Sequence, residues 1–124
     1  YIRDMTQEEN ELLLKDLCAR LPYKVMAKYY DPEDECETWD EVEGIESSGH
    51  VEIGQYVLPI ENVKPYLLPL SSMTEEQKRV YYYKYCWSDY YALEKFDWFN
   101  KNHIDYRGLI EKGLAIDATG LNIY

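Results

Sequence analysis

The sequence predicts a single α+β domain over residues 1–124: an N-terminal helix, a small antiparallel sheet or SH3-like open barrel, and a long aromatic-rich C-terminal helix. Three observations lead to this prediction. A capped amphipathic segment opens the chain, and a stretch with strand alternation and frequent turn residues follows it. A second capped segment, rich in tyrosine, begins near residue 74. A chain of 124 residues can bury a core of its own without disulfides.

The N-terminal helix is predicted at residues 7–20. Thr6 and Glu9 have the spacing of a capping box, in which each side chain satisfies a free backbone donor of the other. Apolar residues then recur at helical spacing: Leu13, Leu14, Leu17, Cys18 and Leu21. Pro22 ends the helix, because the residue before a proline is displaced from the α region. We therefore expect Cys18 to lie in the core.

Three or four short strands are predicted between residues 23 and 60. Residues 24–30 alternate in polarity, and Asp31 to Asp34 form a turn rich in helix- and strand-breaking residues. Further strands are expected at 37–45, 50–53 and 56–60, separated by glycine-containing turns. This spacing of short strands is typical of a small antiparallel sheet or an SH3-like open barrel.

The connector at 61–70 is predicted to lack a central strand, because Pro65 and Pro69 cannot donate to a sheet ladder. Two overlapping capping boxes, Ser72 with Glu75 and Thr74 with Gln77, then predict the start of a helix. We expect this helix to continue towards Asn102, with a break allowed at 87–89. Residues 103–124 contain three glycines and predict an irregular tail with a short helical turn.

The negative charge of the chain is confined to one segment. The formal net charge is −11, and the segment from Tyr29 to Val63 contains 11 carboxylates and no lysine or arginine. Three interpretations remain open: a solvated surface, a surface that binds a basic protein (including by mimicry of a nucleic-acid backbone), and a divalent-cation site. The candidate partner-binding acids are Asp31, Glu33, Asp34, Glu35, Glu37, Asp40, Glu41 and Glu43.

A metal site in this segment would be irregular and weak. Within residues 31–42, Cys36 takes the position of the invariant glycine of an EF-hand loop, and Val42 takes that of its bidentate glutamate. The chain has only two histidines, 53 positions apart, which excludes a histidine-rich metal centre. We predict no metal and no cofactor.

The aromatic segment after residue 80 holds more rings than one helix face can bury. Positions at helical spacing form the predicted core set: Val80, Tyr83, Trp87, Tyr90 and Tyr91. Tyr81, Tyr82 and Tyr85 point elsewhere, so they either cover the sheet or form a surface for a partner or a second copy of the chain.

His103, Asp105, Tyr106 and Arg107 are the weak catalytic candidates. A histidine, a carboxylate, a phenol and a guanidinium close together could form an acid–base site. The alternative is a helix C-terminus, in which Asn102 and His103 cap the helix and Arg107 pairs with a nearby acid. The sequence contains no phosphate-binding glycine loop, no His-Glu-x-x-His motif and no nucleophile elbow.

The composition predicts the cellular compartment of the protein and bears on membrane and nucleic-acid binding. Three cysteines without paired spacing predict a reducing, cytoplasmic compartment. No apolar run is long enough to span a bilayer, and the first residues do not resemble a signal peptide. The sequence has no basic patch, so we do not expect direct binding of nucleic acid. Met5 can serve as a translation start, so residues 1–5 are expected to be disordered, an extension or a remnant of cloning.

Three stretches resemble a family of short uncharacterised proteins from gut anaerobic bacteria and their phages. They are residues 14–23 (LKDLCARLPY), residues 63–67 and 71–76 (VKPYL, SSMTEE), and residues 105–115 (DYRGLIEKGLA). Together these stretches cover roughly a third of the chain and are spread from end to end, so the resemblance implies a whole domain of that family. Because the family has no established activity, it implies a phage or mobile-element setting and no catalytic residues.

The leading hypothesis is therefore a non-enzymatic protein-interaction domain with an acidic surface, such as a phage-encoded accessory or inhibitor protein. The alternatives are a small enzyme that uses the His103–Arg107 cluster, and a structural homo-oligomer built on the tyrosine-rich helix.

Overall fold

The computed structural model describes residues 4–86 and 89–124. The helices are α1 (Gln7–Arg20), α2 (Glu75–Val80) and α3 (Ala92–Lys101). The strands are β1 (Met26–Asp31), β2 (Cys36–Ile45), β3 (Val51–Ile53), β4 (Tyr56–Leu58), β5 (Val63–Leu67) and β6 (Ile116–Asp117). Short 3₁₀ turns lie at Leu21–Tyr23, Ile60–Asn62, Leu70–Ser72 and Asp89–Tyr91, and a π-helical turn spans Tyr81–Tyr85.

The strands form one open six-stranded sheet in the order β4-β3-β2-β1-β5-β6. The first five strands in this order pair antiparallel, whereas β5 and β6 run parallel. The α+β class is therefore confirmed. The sheet is mixed and larger than predicted, and it does not close into a barrel.

Helix α1 covers one face of the sheet. The predicted capping box is present, with Glu9 N donating to Thr6 Oγ1 and Thr6 N donating to Glu9 Oε1. Leu13 and Leu17 are fully buried, as the periodicity indicates. The prediction for Cys18 is wrong, because this thiol is exposed. The charged Asp16 and Arg20 occupy the buried stripe instead, one helical turn apart.

The main core lies between α1 and this sheet face. It joins residues from α1, four strands and the C-terminal segment: Leu13, Leu17, Val25, Ala27, Tyr29, Val42, Val51, Ile53, Ile60, Val63, Leu67, Leu109, Leu114 and Ala115. A smaller cluster on the opposite face joins Met26, Tyr66 and Ala118. Met5 packs against the main core, so at least this residue of the predicted N-terminal extension contacts the domain.

The prediction that prolines exclude a strand at 61–70 is wrong. Val63–Leu67 forms β5 between β1 and β6, with Pro65 opposite Ala27. Pairing with β6 begins only at Tyr66, so Pro65 lies outside the ladder on that side. A proline removes a single donor, and a strand accepts it where that donor has no ladder partner.

The single long aromatic helix is not confirmed by the described residues. Its first part is α2, capped by Thr74 and Gln77 as predicted. The chain then widens into the π turn, where Cys86 N donates to Tyr81 O at 2.8 Å, and the last part is α3. A π turn inserts an extra residue and so rotates the following side chains relative to a regular helix.

The C-terminal segment is irregular, as predicted, but it is an integral part of the fold. Leu109 and Leu114 are buried in the main core, and Ile116–Asp117 forms the edge strand β6. The hydroxyl of Tyr124 accepts a hydrogen bond from Met26 N at 3.0 Å and donates one to Tyr66 O at 2.7 Å. Across the described part of the chain, no helix has the length and apolarity needed to cross a membrane.

Candidate functional site

The register of β1 and β2 defines an outward sheet face. Lys28 lies opposite Trp39, Tyr30 opposite Glu37, and Met26 opposite Glu41. Because paired residues of an antiparallel ladder point to the same side and neighbours along a strand alternate, these six residues share one face. We call this set the Trp39 face. It is opposite to the core face that carries Ala27 and Tyr29.

Trp39 is the most prominent side chain of this face. It is 48% exposed, although its ring meets Tyr66 edge-to-face with the centroids 6.3 Å apart. Lys28 Nζ pairs with Glu37 Oε2 at 2.6 Å, while Glu41 and the neighbouring Glu43 are exposed. The indole of Trp39 is thus partly exposed to solvent, beside exposed carboxylates.

The eight candidate acids lie on different surfaces of the β1–β2 hairpin. Glu37 and Glu41 lie on the Trp39 face, whereas Asp40 alternates to the other side and Glu43 falls at the β-bulge between Val42 and Gly44. Glu33, Asp34 and Glu35 form the exposed tip between β1 and β2. The sequence locates the charge correctly, but only the strand register shows which acids share a surface.

Asp31 differs from the other acids because its carboxylate holds the hairpin tip together. Its Oδ1 accepts hydrogen bonds from the Tyr56 hydroxyl at 2.7 Å, from Glu33 N at 2.9 Å and from Asp34 N at 3.2 Å. The hydrogen bond from Tyr56, followed by the two backbone donors, lowers the pKa of Asp31, and the same contact raises the pKa of Tyr56 to about 12. Asp31 is therefore already committed within the fold.

The described residues bring no three histidine, cysteine or acidic side chains into an arrangement that could hold a metal ion. Successive side chains of a strand point to opposite faces of the sheet, so neighbouring carboxylates of β2 do not come together around a cation.

The four weak catalytic candidates do not form one hydrogen-bonded cluster. The ring of His103 stacks on Tyr124, with centroids 3.4 Å apart and planes inclined by 8°. Asp105 accepts hydrogen bonds from the backbone of Leu109 and Ile110, both at 2.9 Å. No hydrogen bond joins His103, Asp105, Tyr106 and Arg107 to one another among these described side chains. His103 and Asp105 are used in separate contacts, whereas Tyr106 and Arg107 lie together, with the guanidinium 4.5 Å from the centroid of the Tyr106 ring.

His103 is held as a neutral imidazole. Burial, and then the positive charges of Arg20 and Lys24, lower the pKa of His103 to about 4. Its backbone is in the left-handed region at φ 61°, and its Nδ1 is buried without a hydrogen-bond partner in the described part of the protein.

A buried ion network joins α1 to the C-terminal segment. The sequence alternative that Arg107 pairs with an acid is confirmed, but sequence reasoning did not identify Asp16 as that acid or Arg20 as a second partner. Arg20 Nε lies 2.8 Å from Asp16 Oδ2, and both side chains are 0% exposed. Arg107 Nη1 donates to the other oxygen, Asp16 Oδ1, at 2.7 Å, and Arg20 Nη2 donates to Ile104 O at 2.7 Å. The spacing of Asp16 and Arg20 by four residues was the available signal.

The aromatic segment is arranged differently from the prediction. Tyr83 is 81% exposed and Tyr90 is 84% exposed, so both are wrong as core residues. Val80 and Tyr91 are half-buried, and Trp87 lies outside the described residues.

The three tyrosines predicted to point elsewhere are split. Tyr85 is buried against Trp98 at a centroid distance of 5.5 Å, and the half-buried Tyr81 packs on Phe99 at 5.8 Å. Tyr82 is exposed. Of these three, Tyr82 is therefore the one whose ring is mainly available to a partner.

No protein-family model, no curated protein and no solved structure matches this chain. The resemblance to proteins of gut anaerobes and their phages stays a prediction, and the site has to be interpreted from its own chemistry.

Proposed function

We propose that this chain is a non-enzymatic protein-interaction domain that binds a basic partner through the Trp39 face. The observation that carries the proposal is the 48% exposure of Trp39 on a strand flanked by exposed carboxylates. Tryptophan is enriched among residues that dominate interface energies, because it buries a large area at a small entropic cost. Glu41, Glu43 and the hairpin tip supply a rim that attracts lysine and arginine.

The resemblance to proteins of gut anaerobes and their phages supports a phage-encoded accessory or inhibitor role for such a domain. A protein of this kind acts by occupying a surface of a host protein, and a focused acidic surface suits a basic host target.

The proposal is tested with a panel of lysine- and arginine-rich peptides, monitored by the NMR signal of the Trp39 indole N–H. Affinity should fall as salt rises, because exposed charges are screened beyond roughly 10 Å at 0.1 M ionic strength. Trp39→Ala should weaken the best peptide by about 30-fold, and the matched variant Tyr90→Ala of another exposed ring should not.

The charge contribution has its own control. Replacement of Glu41 and Glu43 by glutamine should reduce both affinity and its salt dependence, whereas Glu111→Gln at an exposed site of the C-terminal segment should change neither. Peptide binding that ignores salt, or that survives Trp39→Ala, would refute the proposal.

A structural homo-oligomer is the second candidate, and the exposure of Tyr83 and Tyr90 favours it. Large exposed rings mark association surfaces. Light scattering at increasing concentration should then report a concentration-dependent mass that Tyr83→Ser with Tyr90→Ser abolishes. A constant monomer mass would remove this candidate and leave the first untouched.

A further inference from the structure

A pocket of about 390 Å³ opens where α1, α3 and the segment after α3 meet. Its walls are Lys15 and Ala19 from α1, Phe96 and Asn100 from α3, and Tyr106 and Arg107. Its size falls in the range of small-molecule sites, roughly 300–1,000 Å³. It is formed by different elements from those of the Trp39 face.

The pocket is positively charged, although the protein as a whole is strongly acidic. Lys15 and Arg107 line it, and among the described residues no aspartate or glutamate does, although Arg107 is itself paired with Asp16. Lys95 adds a third cation, with its Nζ 5.2 Å from the centroid of the Phe96 ring. An anion is the only type of charged ligand that this lining favours.

Arg107 is positioned before any ligand arrives. Its Nη1 is fixed on the fully buried Asp16, and its guanidinium lies 4.5 Å from the centroid of the Tyr106 ring. A guanidinium has five N–H donors, and within the described residues Asp16 is the sole side-chain acceptor of Arg107. The remaining donors can bind a carboxylate without the entropic cost of ordering the side chain.

Aromatic rings form the apolar side of the pocket. The Phe96 and Tyr106 rings lie 5.3 Å apart at an angle of 35°, and Phe96 is 43% exposed. Behind them, Phe99 stacks on Tyr106 at 5.2 Å and 21°, which fixes the orientation of the Tyr106 ring. Such a wall favours a flat ring over an aliphatic group.

Asn100 gives the pocket an unsatisfied hydrogen-bonding group. The residue is 4% exposed, and its Oδ1 has no hydrogen-bond partner in the described part of the chain. A buried acceptor left unpaired costs stability, and such groups in folded proteins call for an explanation. Because Oδ1 is itself buried, a ligand reaches it only when a side chain of the pocket wall moves aside, and a hydrogen bond donated to it would then remove this cost.

We propose that this pocket binds a small aromatic carboxylate that carries a hydrogen-bond donor on its ring. The carboxylate pairs with Arg107 and Lys15, the ring packs on Phe96 and Tyr106, and the ring donor reaches Asn100. The three recognition elements lie on α1, α3 and the segment after α3, and the Asp16 network joins α1 to that segment.

The experiment is an NMR titration of the isotope-labelled full chain with 4-hydroxybenzoate as the probe. Saturable shifts are expected at Lys15, Asn100 and Arg107. Binding should be at least about tenfold weaker for 4-hydroxybenzamide, which lacks the charge, and for benzoate, which lacks the donor. Cyclohexanecarboxylate, which lacks the flat ring, should also bind more weakly. Absence of saturable shifts, or equal affinity for the amide and the acid, would overturn the proposal.

Two variants test the named groups. Lys15→Gln should weaken 4-hydroxybenzoate several-fold, whereas Lys112→Gln, an exposed lysine that does not line the pocket, should leave its affinity unchanged. Asn100→Leu should abolish the preference for 4-hydroxybenzoate over benzoate while the protein stays folded, because it replaces an unpaired polar group by an apolar one. Retention of that preference in Asn100→Leu would contradict the assigned role of Asn100.

Discussion

Arg107 Nη1 lies 2.7 Å from Oδ1 of Asp16, a residue 91 positions earlier in the chain. The second carboxylate oxygen of Asp16 binds Arg20 Nε at 2.8 Å, so one fully buried carboxylate is shared by two guanidinium groups. This contact connects α1 to the segment after α3. A buried charge can be kept inside a protein only when it is paired and hydrogen-bonded, as it is here.

Asp16→Asn should therefore be strongly destabilising. The variant keeps the shape of the side chain but leaves Arg20 buried without a counter-charge, which typically costs about 3–5 kcal/mol. Urea unfolding followed by circular dichroism measures the loss. Glu111→Gln, at an exposed position, serves as the control and should change the free energy of unfolding by less than about 0.5 kcal/mol. A loss of similar size in both variants would contradict the structural role of Asp16.

The stability of the fold should decrease in mild acid because of His103. The folded pKa of about 4 lies below the ordinary value of 6.5, so the unfolded chain binds the proton more readily. The contribution of His103 is thus fully present above pH 6.5 and is lost as pH falls towards 4. Stability curves of wild type and His103→Asn between pH 7 and pH 4 should diverge by on the order of 2 kcal/mol.

Asparagine is the suitable replacement because it tolerates the left-handed backbone at φ 61°. Carboxylates titrate in both proteins, so the difference between the two curves isolates the imidazole. Parallel curves would show that His103 has an ordinary pKa in the folded state.

The sequence predicts local structure well and long-range pairing poorly. The periodicity of α1 places Leu13 and Leu17 in the core, but the same periodicity assigns Cys18 to the core, where the structure has Asp16 and Arg20. The second oxygen of Asp16 is paired by Arg107, which lies 91 positions later in the chain. No residue pattern within α1 indicates that Arg107 is the partner of Asp16.

The prediction for the aromatic segment is wrong for a different reason. Tyr81, Tyr82 and Tyr83 are consecutive, so no helical period distinguishes which of them turns inward. The π turn then changes the helical phase of this segment, which buries Tyr85 and leaves Tyr83 exposed. The acidic segment shows the same limit in a strand: composition locates its charge, and the pairing of β1 with β2 decides which acids join Trp39.

Tyr124→Phe should loosen the C-terminal segment. The hydroxyl accepts from Met26 N and donates to Tyr66 O, so its removal leaves two backbone groups of the sheet without this partner. The loss of its partner by a buried donor, here Met26 N, costs about 1–3 kcal/mol. Burial raises the pKa of Tyr124 to about 12, so this contribution should be constant from neutral pH up to mildly alkaline pH.

Hydrogen exchange at the amide of Met26 reports this change directly, because Met26 N is the donor. Faster exchange there, with unchanged exchange at Val51 in β3, is the expected result. Uniform acceleration in both strands would indicate global destabilisation and not the loss of a local clasp.

Gly54→Ala should disrupt the packing of the core against the β3–β4 turn. A Cβ at this position would overlap with the hydroxyl oxygen of Tyr29, and the backbone is in the left-handed region at φ 57°. Tyr29 is itself buried in the main core, so its ring cannot move without opening a cavity. We expect a loss of about 3 kcal/mol or more in the free energy of unfolding.

Gly120→Ala separates steric overlap from backbone strain. Gly120 also has a positive φ, 76°, but an added Cβ there would meet no atom within 4 Å. Its cost should be limited to the strain of an L-residue in the left-handed region, about 1–2 kcal/mol. Thermal unfolding of the two variants side by side measures the difference, and equal losses would show that the approach of Tyr29 to Gly54 does not constrain the turn.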